Sequence, residues 1–145
     1  MCGIVGYVGN KPVAPPLIEG LKRLEYRGYD SAGVAVVNDH GLHVHRSVGR
    51  VSVLESLIDH SPKDKTTASI GIAHTRWATH GGVTEVNAHP HTGKSKAGHR
   101  VAVVHNGIIE NYATLRKYLE SRRHTVSAHT GTPVLTILTA ERYDG

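Results

Sequence analysis

Short apolar runs bounded by turn residues are the clearest feature of this sequence. Runs of this kind, rich in Val, Ile and Ala and ended by Gly, Asn or Asp, are typical of β-strands. They predict strands at 3–8, 32–37, 42–48, 70–73 and 100–105. The turn residues Asn38-Asp39-His40-Gly41 separate the second run from the third, so the pattern predicts a hairpin there.

Helical spacing of apolar residues alternates with these strands. After Pro15 and Pro16, leucines and an isoleucine recur at i, i+1, i+4 and i+7, which places them on one helical face. Further helices are predicted at 51–59, at 112–122 and from Pro133 onward, and residues 61–67 are predicted to form a polar loop. The alternation of paired strands with helices predicts an α+β fold or a layered α/β sandwich.

Composition narrows the class of protein. The length of 145 residues suits one domain, and the net charge of +5 comes from scattered basic residues. Nucleic-acid binding usually needs a focused basic stripe, so no nucleic-acid partner is expected. No run of about 18 apolar residues is present, so no membrane span is expected. The single cysteine excludes an internal disulfide, and with no signal-peptide pattern this predicts a cytoplasmic protein.

Cys2 is the first candidate for chemistry. Methionine aminopeptidase removes Met1 before a small residue, which would leave Cys2 with both a thiol and a free α-amine. An α-amine has a pKa of roughly 7.7–8.0 and can act as a base near neutral pH. A nucleophile activated by its own terminal amine is a known catalytic arrangement. The alternative is an ordinary buried cysteine with a packing role.

A cysteine nucleophile that transfers an acyl group also needs donors for the developing oxyanion. Asn106 and Gly107 follow a predicted strand and could supply a side-chain amide and a backbone N–H. The alternative is that this Asn-Gly pair only forms a turn. A substrate carboxylate would need an arginine, and Arg76 and Arg27 are the candidates.

Twelve histidines raise the question of a metal site, since several lie between residues 74 and 91. Their spacing fits no zinc signature, and no second cysteine is present. No metal is therefore expected, and His80, His89 and His91 are interpreted as residues that form hydrogen bonds within loops.

Five segments carry a resemblance to a known family. The first, Met-Cys-Gly-Ile-Val-Gly at 1–6, resembles the start of class II glutamine amidotransferases. Four more resemble the glutamine–fructose-6-phosphate aminotransferases within that class. They are Leu-Glu-Tyr-Arg-Gly-Tyr-Asp-Ser-Ala-Gly (24–33), His-Thr-Arg-Trp-Ala-Thr-His-Gly (74–81), Asn-Ala-His-Pro-His (87–91) and His-Asn-Gly-Ile-Ile-Glu-Asn (105–111).

The resemblance implies a fold and a reaction. The fold is the four-layer α-β-β-α sandwich of N-terminal-nucleophile hydrolases, and the reaction is hydrolysis of L-glutamine to glutamate and ammonia without a cofactor. In the family the ammonia passes to fructose 6-phosphate and gives glucosamine 6-phosphate. The implied nucleophile is Cys2, with its α-amine as the base. Asn106 and Gly107 are implied to form the oxyanion hole. Arg76, with Trp77, Thr79 and His80 around it, is implied to form the pocket for the glutamine carboxylate. Arg27 is implied to organise the site near the nucleophile.

Gly131 is a departure from the family pattern. The family carries a Thr-Asp-Thr-Glu run whose Asp binds the α-ammonium group of glutamine, and the matching residues here are Thr130-Gly131-Thr132-Pro133. Loss of one partner of a buried charge pair lowers the binding free energy by about 2–5 kcal/mol. Weakened recognition of glutamine is therefore expected.

Length is the second departure. The family's glutaminase domain continues for roughly a hundred residues more, followed by a sugar-phosphate isomerase region. Residues 1–145 are therefore expected to form a partial domain, incomplete at its C-terminal side, with exposed sheet edges and a tendency to self-associate. Ammonia transfer would need association with an isomerase domain. The alternative function is that of a truncated, non-catalytic relative.

Overall fold

The computed structural model describes residues 1–79, 81–126 and 130–143. These residues form six strands and four α-helices. The strands are β1 (Gly3–Val8), β2 (Ser31–Asn38), β3 (Gly41–Val48), β4 (Ile70–Arg76), β5 (His91–Lys94) and β6 (Arg100–Val103). The helices are α1 (Ala14–Leu24), α2 (Val51–Asp59), α3 (Tyr112–Ser121) and α4 (Gly131–Arg142).

Four strands form an antiparallel sheet in the order β1-β4-β2-β3. The predicted hairpin is confirmed, because Asn38 pairs with Gly41 across the turn. The Asn38 side chain accepts a hydrogen bond from the His40 N–H at 2.9 Å, and Gly41 has a φ of 109°, a backbone conformation that glycine adopts without strain.

One face of this sheet is covered by α1 and α2. The core between them contains Leu17 and Leu21 from α1, Val34 from β2 and Leu54 from α2, all at most 1% exposed. Gly3 permits the close approach of α1, since a Cβ there would lie 2.8 Å from Leu24.

The second sheet, β5-β6, lies beside the other face. Arg46 of β3 donates to the Ala88 carbonyl at 3.4 Å, and Arg100 of β6 donates to the Leu42 carbonyl at 3.2 Å. Helix α4 packs on β5 so closely that a Cβ at Gly93 would lie 2.8 Å from the Thr136 carbonyl. Helix α3 packs on α4 around Leu119 and Val134. The layers therefore follow the expected order α-β-β-α.

The structure corrects several predicted boundaries. Strand β4 continues three residues beyond Ala73, while β6 ends at Val103 rather than at 105. Strand β5 was not predicted, because its sequence His-Thr-Gly-Lys has no apolar residue. Helix α4 begins at Gly131, two residues before Pro133. Proline is tolerated there because the first N–H groups of a helix have no partner within it.

The second face of the four-stranded sheet is unevenly covered. The second sheet and its helices lie over one part, whereas Val8, Ile70 and Val37, which pair in one row across three strands, are 79%, 46% and 46% exposed.

Within the described residues, no helix is both long and apolar enough to cross a membrane.

Candidate active site

The predicted site residues converge where β1 begins and β4 ends. The two strands are antiparallel, with Gly3 paired to Thr75, so the start of one lies beside the end of the other. A cavity of about 160 Å³ opens there. Seven of the residues predicted from the sequence line it: Cys2, Arg76, Trp77, Thr79, Asn106, Gly107 and Gly131.

The Cys2 thiol lies against the backbone of Trp77. Its Sγ accepts a hydrogen bond from the Trp77 N–H at 3.4 Å and lies 3.8 Å from the Trp77 carbonyl oxygen. The Gly3 N–H donates to Thr75 Oγ1 at 3.1 Å, which anchors the residue after Cys2. With Met1 in place the Cys2 nitrogen belongs to a peptide bond, so only removal of Met1 frees an amine next to the thiol.

Arg76 is a buried cation at the edge of the cavity, 5% exposed. Burial lowers the pKa of its guanidinium, and the nearby Cys2 and Asp30 act in the opposite direction. Its Nη1 donates to the Gly82 carbonyl at 3.0 Å and its Nη2 lies 3.4 Å from the Gly81 carbonyl. Arg76 thus holds the loop that follows β4 as well as facing the cavity.

Asp30 fixes the chain on the other side of Arg76. Its carboxylate accepts the Ala78 N–H at 2.7 Å, and its own N–H donates to the Arg76 carbonyl at 2.9 Å. No role for Asp30 was predicted from the sequence. Its position at the end of the Arg-Gly-Tyr-Asp segment at 27–30 was the available signal, but its hydrogen-bond partner Ala78 lies 48 residues away.

Asn106 is held from two sides. Its Nδ2 donates to the Cys2 carbonyl at 3.3 Å, and its Oδ1 lies 2.7 Å from His74 Nε2. This arrangement keeps the side-chain amide beside Cys2. No role for His74 was predicted, although its position on β4, two residues before Arg76, places both side chains on one face of the strand.

Buried histidines form a stack behind the cavity. The rings of His74 and His89 are 4.2 Å apart and nearly parallel at 15°, and His91 meets His89 edge-on at 4.6 Å. Burial, reinforced by neighbouring cationic groups, lowers the pKa of His89 to about 2. Burial likewise lowers the pKa of both His74 and His91 to about 4. All three rings are therefore neutral near pH 7.

The hydrogen bonds of these histidines differ from one another. His89 Nδ1 accepts the His105 N–H at 3.3 Å, as expected of a loop histidine. The interpretation of His91 was wrong, since it belongs to β5 and its buried Nε2 has no hydrogen-bond partner among the described residues. Within that part of the chain, no cluster of His, Cys, Asp or Glu is arranged to hold a metal ion.

Arg27 and His80 need separate treatment. Arg27 does not line the cavity. The Arg27 carbonyl accepts the Met1 amino group at 2.5 Å, and its guanidinium contacts Met1 Sδ at 3.7 Å. Arg27 therefore lies next to the N-terminal residue Met1. His80 lies outside the residues that the structure describes.

Gly131 lies at the cavity, at the first position of α4. A Cβ at this position would lie 2.8–2.9 Å from Ile109 Cγ1 and Cβ. Ile109 thus occupies the space that a larger side chain would need. Among the described residues, those that line the cavity include no carboxylate.

Relatives of known identity match the chain along its whole length. It is 54% identical over 143 residues to a glutamine–fructose-6-phosphate aminotransferase (isomerizing) of Streptomyces coelicolor, covering 99% of this chain and 22% of that protein. The same-named protein of Caldanaerobacter subterraneus is 48% identical over 145 residues, covering 100% and 23%. The chain therefore spans less than a quarter of the length of these relatives.

Family and structural comparisons agree with these relatives. A family model for the glutamine amidotransferase domain matches residues 75–144. The fold resembles the structure of the allosteric regulatory enzyme of purine biosynthesis, with a TM-score of 0.80 and 25% identity over 98% of this chain and 30% of the other. Glutamine phosphoribosylpyrophosphate amidotransferase from B. subtilis gives a TM-score of 0.77 at the same identity and coverage. These similarities confirm the predicted N-terminal-nucleophile fold, and the chain belongs to the glutamine amidotransferases, within the glutamine–fructose-6-phosphate aminotransferase family.

Proposed function

We propose that the chain hydrolyses the side-chain amide of L-glutamine, with Cys2 as the nucleophile. The observation that carries this proposal is the meeting of Cys2, Arg76 and Asn106 at one cavity, from three separate parts of the sequence. A thiol, a cation for the α-carboxylate and an amide donor for the oxyanion are the minimum that this acyl transfer requires.

The proposed reaction begins once Met1 is removed. The α-amine of Cys2 takes the thiol proton, and the thiolate attacks the amide carbon of glutamine to form a C–S bond. Asn106 Nδ2 and the Gly107 N–H donate to the resulting oxyanion. The C–N bond then breaks, the leaving nitrogen takes the proton held by the amine, and ammonia departs. Water attacks the thioester, releasing glutamate and restoring the thiol.

Substrate binding follows from charge in this proposal. Arg76 pairs with the α-carboxylate, with Trp77, Thr79 and His80 around it, while Arg27 supports the N-terminal segment. Gly131 provides no anionic partner for the α-ammonium group. We therefore expect weak binding of glutamine rather than loss of the chemistry, which depends on Cys2 and Asn106.

Use of the ammonia requires an acceptor site. The names of the relatives support fructose 6-phosphate as the acceptor, which would give glucosamine 6-phosphate. We propose that a sugar-phosphate isomerase domain supplies this site, and that the reaction takes place in the cytoplasm, where a free cysteine stays reduced.

The test is glutamate release from L-glutamine by protein whose intact mass shows that Met1 has been removed. We expect turnover that is lost in Cys2→Ala and in protein with an uncleaved N-terminal extension, which keeps the thiol but blocks the amine. Equal turnover with the extension would exclude the terminal amine as the base. Absence of turnover at saturating glutamine in the processed protein would favour the non-catalytic alternative.

A further inference from the structure

His74 is a buried polar residue for which the proposed reaction has no use. It lies in β4 between the packed residues Ala73 and Thr75 and is 1% exposed. Its ring nevertheless forms part of the cavity wall. Burying an imidazole in this way is costly unless its polar atoms are used, so its contacts indicate what it does.

The two contacts of Asn106 fix which way its amide points. The Cys2 carbonyl oxygen can only accept a hydrogen bond, so the Asn106 atom 3.3 Å from it must be Nδ2. Oδ1 then faces His74 Nε2 at 2.7 Å. Because Oδ1 can only accept, Nε2 must carry a proton. A rotation of the amide by 180° would set two oxygens against each other at Cys2 and two N–H donors against each other at His74.

The surroundings of His74 hold the ring in this role. Its face stacks on His89 at 4.2 Å, and His89 is itself oriented by the bond from the His105 N–H to its Nδ1. Within the described residues, His74 Nδ1 has no hydrogen-bond partner, so nothing there competes for the proton. Burial lowers the pKa of His74 to about 4, and a neutral ring carries only one proton.

We propose that His74 is a positioning residue: its Nε2–H fixes the side-chain amide of Asn106 so that Nδ2 faces the reacting centre at Cys2. It acts through Asn106, by excluding the rotated amide that would present an oxygen to the developing oxyanion. The inference rests on the proposed function for its catalytic consequence, but the orientation itself does not.

The size of the effect follows from what Asn106 contributes. Loss of one oxyanion-hole donor lowers kcat by about 10²–10³-fold. Without His74 the amide would still be present but would point correctly only part of the time. We therefore expect His74→Leu to lower kcat for glutamine hydrolysis by about 10- to 100-fold, with KM changed less than about threefold, since Arg76 is untouched.

His74→Gln is the matched control. Glutamine places a neutral N–H donor at a similar reach and cannot become charged, so it should restore kcat to within about fivefold of the original protein. A residue needed only for packing would not show this difference between leucine and glutamine. Unchanged kcat in His74→Leu, an effect on KM alone, or equal losses in both variants would each overturn the inference.

A second measurement needs neither activity nor a substitution. The ¹⁵N and ¹H resonances of the histidine rings in the ¹⁵N-labelled protein report which nitrogen carries the proton. At pH 7 we expect His74 as the neutral Nε2–H form. An Nδ1–H form or a doubly protonated ring would contradict the inference. If the original protein does not hydrolyse glutamine, the proposed function fails, while the tautomer still decides the orientation of Asn106.

Discussion

The two faces of the four-stranded sheet differ in what they bury. The face under α1 and α2 is closed and apolar, with Leu17, Leu21 and Leu54 fully buried. The opposite face carries His74 and Arg76 at one end and the exposed row of Val8, Ile70 and Val37 at the other. One sheet thus has a packing face and a mixed face that contains the candidate site.

Strand β4 shows how one sequence serves both faces. Successive side chains of a strand point to opposite sides, so Ala73 and Thr75 face the helices while His74 and Arg76 face the cavity. Substitutions on the packing face should therefore change mainly stability. Substitutions of the polar residues that line the cavity should change mainly reactivity, since these side chains face the cavity rather than the apolar core under α1 and α2.

Removal of the nucleophile should give the largest effect. Cys2→Ala is expected to lower glutamine hydrolysis by about 10⁴-fold or more, as for other enzymes that lose a covalent nucleophile. Its urea midpoint should stay close to that of the original protein, because Cys2 is only half-buried. A large loss of stability in Cys2→Ala would show that the two faces are not separable in this way.

Acid should destabilise the protein through the histidine stack. The folded pKa values of His74 and His91 are about 4 and that of His89 is about 2, all below the unfolded value of about 6.5. The unfolded chain therefore binds more protons below pH 6.5, and stability should fall as the pH falls from there. By about pH 5, each histidine is expected to have lowered the free energy of unfolding by about 2 kcal/mol.

Urea unfolding between pH 8 and pH 5 checks this sign. Above about pH 8 these three groups should contribute almost no slope, because the histidines are then neutral in the unfolded chain as well. His91→Gln, which cannot ionise, should make the slope below pH 6.5 shallower by about one proton. Stability that stays constant from pH 7 to pH 5 would contradict a neutral, buried stack.

The packing face should respond to truncation of Leu21. Leu21→Ala is expected to lower the free energy of unfolding by about 2–5 kcal/mol, because the side chain is fully buried between α1 and the sheet. The matched control is Leu57→Ala on α2, where the side chain is 41% exposed, and the cost should be below about 1 kcal/mol. Equal costs at the two positions would mean that this core is not assembled.

A carboxylate at Gly131 should strengthen glutamine binding. Gly131→Asp restores an anion near the α-ammonium group and should lower the half-saturating glutamine concentration by about 10- to 1,000-fold. We expect the lower end, because Ile109 must shift to admit the side chain. Gly131→Asn is the matched control, with the same shape and no charge. Equal affinities for the two variants would show that charge is not what Gly131 lacks.

A substitution in the exposed apolar row of Val8, Ile70 and Val37 should have the smallest effect on the folded chain. Val8 lies on an edge strand and is 79% exposed, so Val8→Lys should reduce self-association without loss of stability. Val53→Lys, at a 49% exposed position of α2, is the control. If the original protein sediments as a monomer at high concentration, the expected self-association is contradicted.

The periodic parts of the fold could be predicted from sequence. Strands β1 to β4 and helices α1 to α3 have strong apolar patterns, and their predicted positions agree with the structure to within a few residues. Strand β5 could not be predicted from its pattern, since its four residues contain no apolar side chain and the strand is placed by pairing with β6 and by the close approach of α4 at Gly93.

The residues that meet at the cavity could be proposed from sequence where a chemical role is tied to a residue type. Cys2, Arg76, Asn106 and Gly107 were candidates because a cysteine thiol, an arginine and an Asn-Gly pair have residue types that suggest a nucleophile, a carboxylate partner and oxyanion donors. The contacts of His74 with Asn106, and of Asp30 with Ala78, join residues 32 and 48 positions apart. Such pairs depend on strand register, which the sequence pattern alone leaves open.

The most direct test of the candidate site is the rate at which a diazoketone analogue of glutamine alkylates Cys2 in protein lacking Met1. Intact-mass spectrometry locates and counts the label. We expect one label per chain, a rate that saturates with analogue concentration, and protection by L-glutamine. A rate that rises linearly without saturation, no faster than that of free cysteine and unaffected by glutamine, would show that Cys2, Arg76 and Asn106 do not form a glutamine site.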